Sequence, residues 1–224
     1  MTLLIKFLLF LHVIAGFTSL ILFWLPIFTH KGGLNHRRIG NLYVKAMWVV
    51  VITALMLSIN NLVTGDFIMA AFLGFLSLIT AKPLWLGIAT LKNKEVYSST
   101  FRAQQIGFNL LLDFTGGLLV LYGFSLGDNS LAIYLKIFGV LGLLTVFDLI
   151  SCFRNKTNHK QLYATHLQNM CTSAIAAYTA FFAFGASSVL EGSFSSSLTL
   201  VFWIAPTVIG TIGIQYALIR YNNN

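Results

Sequence analysis

The chain is predicted to be an all-α integral membrane bundle of seven transmembrane helices, and three observations predict it. Hydrophobic residues make up 57% of the 224 residues and charged residues only 9%, against soluble averages of roughly 45–50% and about 25%. Seven long apolar stretches fill nearly the whole length. Most of the basic residues fall in alternate gaps between those stretches.

A hydrocarbon core of about 30 Å takes roughly 20 apolar residues of helix. The spans read 3–28, 41–64, 67–91, 104–126, 130–152, 162–186 and 197–219. Helix follows rather than barrel because barrel strands alternate in segments of about 10 residues, whereas Ala46–Leu57 and Ile137–Leu149 are apolar on every face. Within lipid each backbone amide needs a partner in its own segment, which a helix supplies alone. The first stretch carries an early Lys6, but its apolar run is too long for a signal-peptide core and no small-residue cleavage site follows, so it reads as a mature helix.

Charge sets the expected orientation. Lys31, Arg37 and Arg38 lie between the first two spans, Lys92, Lys94 and Arg102 between the third and fourth, and Arg154, Lys156 and Lys160 between the fifth and sixth; Arg220 follows the seventh. The other gaps hold only Asp66, Asp128 and Glu191. Positive loops stay cytoplasmic, so the amino terminus is expected outside and the carboxyl terminus in the cytoplasm of a multi-pass bacterial inner-membrane protein. The net charge of +8 is then a topology signal with the lipid bilayer as its partner. No basic domain or tail exists to bind nucleic acid, and no protein partner is indicated. Short loops and the absence of a repeat make residues 1–224 a single domain. Cys152 and Cys171 fall near the cytoplasmic side, where thiols stay reduced.

Ionisable groups inside a span are costly and usually face a partner or a cavity. Counting about 1.5 Å per residue from the membrane edge puts Lys82 and Asp113 level near mid-membrane, on consecutive helices, and an intramembrane ion pair between them is expected. Pro83 frees a carbonyl one turn earlier in the same helix, and Asn109, Asp113 and Gly117 share one face of the next. A structural lock between two helices and a proton or substrate relay both remain open for this pair.

A second level set lies nearer the cytoplasm. Asp148 sits about one turn inside the fifth span and His166 about one turn inside the sixth, with His36 in the first basic loop. These three would fill three positions of a zinc-like site and leave one open, with Asp148 equally able to orient an imidazole from behind. No compact motif such as H-E-x-x-H accompanies them. A divalent metal or haem site, a hydrogen-bonded structural cluster and a proton or anion pathway are the three alternatives. His12 lies in the outer half of the first span, roughly 15 Å from His166 along the membrane normal, too far to share one haem. With Gly16 and Ser19 on its face it reads as a packing residue or a ligand.

The ordered strings Leu11-His12-Val13-Ile14-Ala15-Gly16, Lys31-Gly32-Gly33, His36-Arg37-Arg38-Ile39-Gly40 with Tyr43, Asp148, His166-x-x-x-Met170 leading into Ile175–Phe181, and Ala205–Thr211 cover nearly the full chain. In these the chain resembles the bacterial membrane-protein family catalogued as domain of unknown function 2306. The resemblance implies a seven-helix fold and points to His12, His36 and Tyr43 as cofactor-binding residues, beside Asp148 and His166. The family pattern has an Arg before the Met of the sixth span; Asn169 stands there, so an anion-binding role for that Arg does not carry over.

Three functions follow as expectations. The first is a His/Asp site near the cytoplasmic face that binds a metal or haem in a redox or assembly role. The second is a proton-coupled small-solute transporter, suited by Lys82, Asp113 and the helix breakers Pro83 and Pro206. The third is a metal-dependent membrane hydrolase, although the H-x-x-x-H pair of known seven-helix hydrolases is missing.

Overall fold

The computed structural model of the chain describes residues 2–92, 99–127, 129, 131–154, 159–186 and 196–223, and every regular element among them is helical. In chain order these are α1 Leu3–Ile27, α2 Leu34–Thr64, α3 Phe67–Lys92, α4 Ser99–Ser125, α5 Ala132–Leu143, α6 Val146–Arg154, α7 His159–Ala180 running into a π-helical turn at Phe181–Ala186, and α8 Ser196–Asn223. Five helical stretches are long and apolar enough to cross a membrane: α1, α2, α3, α4, and α5 with α6 taken together as Ala132–Phe153. The sequence of α7 is interrupted by Thr165, His166, Gln168, Asn169, Thr172 and Ser173, which dilutes its hydropathy.

Local chemistry places the ends. Helix α1 ends at Ile27, and the carbonyls of its last turn are taken up from the following loop. Lys31 Nζ donates to Pro26 O and Ile27 O at 3.1 and 2.8 Å, and Thr29 Oγ1 donates to Pro26 O at 2.9 Å. Burial of this ammonium against the helix end pulls the Lys31 pKa below its ordinary value. Gly65, with φ of 86°, ends α2 in the left-handed conformation that suits glycine, and Asp66 N–H bonds back to Asn61 O at 2.9 Å. The Asp66 carboxylate then caps α3 by accepting from Met69 N–H at 3.1 Å.

Helix α2 begins seven residues before the predicted span at 41. Hydropathy marks where a helix enters lipid, and nothing in Leu34–Gly40 stops the backbone from being helical before that. The predicted fifth span, 130–152, is two helices. Between them at Leu144 and Thr145 the chain makes a tight turn in which Thr145 N–H bonds Gly142 O at 2.9 Å and Phe147 N–H bonds Leu144 O at 3.2 Å.

Helix α3 lies at the centre and packs on α2, α4, α5 and α7; α1 packs on α2 and α7, and α8 on α7. Two apolar cores result. At the end carrying the α2–α3 turn, Trp203 of α8 stacks on Tyr134 (4.2 Å between centroids) and meets Phe72 and Phe138 edge-on or tilted. At the other end, called the basic end because Lys31, Arg37, Arg38 and Arg102 lie there, Tyr43, Met47, Leu84 and Ala174 are buried together. Along α4 and α5 the two backbones come unusually close at Gly116, Gly123, Gly139 and Gly142, as small residues permit.

Candidate functional site

Gln105, Asn109 and Asp113 recur every fourth residue of α4 and so form one polar ladder, which faces α5 and α6. Its rungs are occupied in order. Cys152 Sγ donates to Gln105 Oε1 at 3.4 Å, and Asn109 Nδ2 approaches Cys152 Sγ at 3.9 Å. Thr145, at the break between α5 and α6, donates its hydroxyl to Asp113 Oδ1 at 2.8 Å and lies 3.5 Å from Asn109 O. Asn109 is 1% exposed, and its Oδ1 has no hydrogen-bond partner among the described residues.

Beside this ladder stands an ion pair. Lys82 Nζ donates to Asp148 Oδ2 at 2.7 Å. The expected Lys82–Asp113 pair is therefore corrected: Lys82 of α3 takes the carboxylate of α6, and Asp113 takes a hydroxyl. Depth counting placed Lys82 and Asp113 level, but it assumed an unbroken fifth span. The turn at Leu144 and Thr145 starts a new helix whose first turn carries Asp148, where the helix dipole favours a carboxylate. The pair is lopsided, with the Lys82 side chain 9% and the Asp148 side chain 64% exposed. Cys152 lies within electrostatic reach of Asp148, Lys82 and Arg102, so ion pair and ladder form one cluster.

The imidazoles occupy a different place. His166 Nδ1 lies 2.7 Å from Gly87 O, and His36 Nδ1 lies 3.1 Å from Pro26 O. A carbonyl can only accept, so both rings present an N–H at Nδ1. The two rings are within electrostatic reach of each other at the basic end. Asp148 does not join them, being engaged with Lys82. Among the described residues no group of three or more His, Cys, Asp or Glu is arranged to hold a metal ion. The proposed set His36, Asp148 and His166 thus does not fit a zinc-like centre, and the metal-dependent hydrolase that would need one gains no support from it.

The remaining residues named from the sequence serve packing. His12 Nδ1 meets Thr53 Oγ1 at 2.9 Å; the Thr53 hydroxyl is already spent on Val49 O at 2.7 Å, so the imidazole is the donor and ties α1 to α2. Tyr43 is buried, and its hydroxyl meets Ser173 Oγ at 2.7 Å, with Ser173 donating onward to Met170 O. Tyr43→Phe is expected to cost about 1 kcal/mol, the scale of one helix-bridging hydrogen bond, read as a lower unfolding temperature in detergent. No change would mean that Ser173 is as well satisfied by α7 alone.

Sequence reasoning missed Gln105, Thr145 and Cys152. The four-residue spacing of Gln105 from Asn109 was a usable signal. Thr145 and Cys152 had none, since a hydroxyl or thiol in an apolar run is ordinarily satisfied within its own helix. No known family, curated protein or solved structure matches the chain.

Proposed function

We propose that the chain is a seven-span inner-membrane protein, amino terminus outside and carboxyl terminus cytoplasmic, akin to the domain of unknown function 2306 family, that moves a small solute together with a proton. The alternation of basic gaps supports the orientation, with α5 and α6 forming one span and α7 and α8 the last two. The observation that carries the transport reading is the Lys82–Asp148 pair at a break in a helix. Discontinuous helices and ionisable groups within a membrane are the usual elements of a carrier.

The break leaves Asp148 on a short helix of its own, held to α3 by one charge contact. Protonating that carboxylate removes the contact, so α6 gains a second, uncharged state relative to α3. Thr145–Asp113 at the break and Cys152–Gln105 beyond it fasten α6 to α4, so the motion is of α6 relative to α3. Proton binding and helix position are thereby linked, as coupling requires.

Proteoliposomes loaded with a pH indicator test this. Pulses of small carboxylates, amino acids and sugars are expected to reveal at least one solute that drives proton entry through the wild-type protein, with the flux falling at least tenfold in Asp148→Asn. Equal flux in that variant, or no solute-dependent proton movement in the wild type, would remove the proposal.

A further inference from the structure

Resting on that transport reading, we infer that the solute is a carboxylate, and that it binds Lys82 in the position Asp148 gives up when protonated. Lys82 is a buried cation, and the site already holds a carboxylate oxygen 2.7 Å from its Nζ. The resident carboxylate approaches from the exposed side: Asp148 is 64% exposed and stands at the start of a nine-residue helix just after the backbone break. An incoming carboxylate can follow the same route and present an oxygen to the same ammonium. A neutral or cationic solute would leave Lys82 without a counter-charge in a buried place, which is costly. Charge balance then couples the two events. Asp148 takes one proton, Lys82 keeps its charge, and one carboxylate anion enters, so proton and anion move together with no net charge; release of the anion on the other side returns the proton and re-forms the pair.

The neighbouring titratable groups are engaged elsewhere. On α4, Asp113 accepts from Thr145, and Arg102 lies near Cys152 of α6. On α7, His166 is bonded to Gly87; on α2, Tyr43 is bonded to Ser173; on α5, Lys136 lies over the Phe124 ring at 4.9 Å. Asp148 is the group that must take up a proton and leave Lys82 for the anion to bind. Where Asp148 is ionised in the free protein, one proton is taken up per anion bound, and linkage makes the apparent Kd rise about tenfold per pH unit.

The carboxylate can come from water or from the bilayer, and two probes separate these sources: lactate for the first, decanoate for the second. Binding of each is measured by calorimetry on the purified full chain in detergent, across a pH series, with an indicator dye reporting proton uptake. Expected are one proton taken up per anion, the tenfold-per-unit slope in the wild type and in His166→Gln, a slope lost in Asp148→Asn, and affinity reduced at least tenfold in Lys82→Met. Tight binding of lactate identifies an aqueous substrate; binding of decanoate alone identifies a bilayer-borne one, and either supports the inference. Should Asp148→Asn fail to fold, the wild-type proton count and slope still decide it. Neither probe binding, binding without proton uptake, or full affinity in Lys82→Met overturns it. If none of the carboxylates binds while another solute drives proton flux in proteoliposomes, the substrate class falls and the transport reading stands.

Discussion

Asp148→Asn is expected to destabilise the folded protein more than Lys82→Met, although the two remove the same ion pair. The asymmetry comes from burial. Lys82 is 9% exposed and Asp148 64%, so losing the carboxylate strands a charge among helices, whereas losing the ammonium leaves one on the outer face of α6, within two turns of the end of its span, where it can reach toward the headgroups. Breaking a fully buried pair costs about 3–5 kcal/mol. Partial exposure of Asp148 lowers the figure here to roughly 1–3 kcal/mol for Asp148→Asn. Methionine fills nearly the same volume as lysine without a charge, so Lys82→Met should cost no more than about 1 kcal/mol. Thermal unfolding of both variants in one detergent, without added carboxylate, measures the order. The reverse order would mean that α6 shields Asp148 and leaves Lys82 with a better partner than the carboxylate.

The largest loss of stability is expected from Gly139→Val. A Cβ placed at Gly139 would stand 2.7 Å from Gly116 O and 3.0 Å from Val120 N, and one at Gly116 would stand 2.7 Å from Gly139 O. These neighbours are backbone, so no rotamer change can make room, and α4 and α5 must separate. Overpacking a rigid contact costs about 1–3 kcal/mol and sometimes more, and valine adds two further methyl groups. We expect about 3 kcal/mol or above, with poor recovery in size-exclusion chromatography. Gly107→Ala is the control. It lies in α4, the helix that packs on α5, with nothing within 4 Å of the added Cβ, so replacing glycine should be neutral or stabilise by up to about 1 kcal/mol. Equal behaviour of the two variants would show that the close approach of α4 and α5 does not limit stability.

Much of the architecture is legible in the sequence because lipid imposes a single simple demand. Apolar length is visible residue by residue, and the boundaries of α1, α3 and α4 fall within a few residues of the hydropathy reading apart from the earlier start of α4 at Ser99. What hydropathy does not register is hydrogen-bond pattern. Leu143, Leu144, Thr145 and Val146 contain neither proline nor glycine, so the turn there leaves no trace in composition; it is pinned by a hydroxyl on one helix and a carboxylate on another. That hidden turn also bears on the misassigned partner of Lys82, since its Thr145 occupies Asp113 while Asp148, just beyond it, reaches Lys82. At the basic end, depth counting does bring His36 and His166 near one another, yet the acceptor each Nδ1 chooses depends on where Pro26 and Gly87 lie in space.

The length of α2 has a mechanical consequence. Its 31 residues measure about 46 Å at 1.5 Å per residue, well beyond a hydrocarbon thickness of about 30 Å. Gly65 tethers one extremity to α3 by a tight reversal, so the surplus accumulates at the opposite extremity, beside Arg37 and Arg38. In a thin bilayer this stub stands proud as a cationic post among phospholipid headgroups; in a thick one the rod stands more upright and draws the post inward. Because His36 rides on that post and grips the end of α1 through Pro26, membrane thickness is transmitted as strain to the joint between the first two rods.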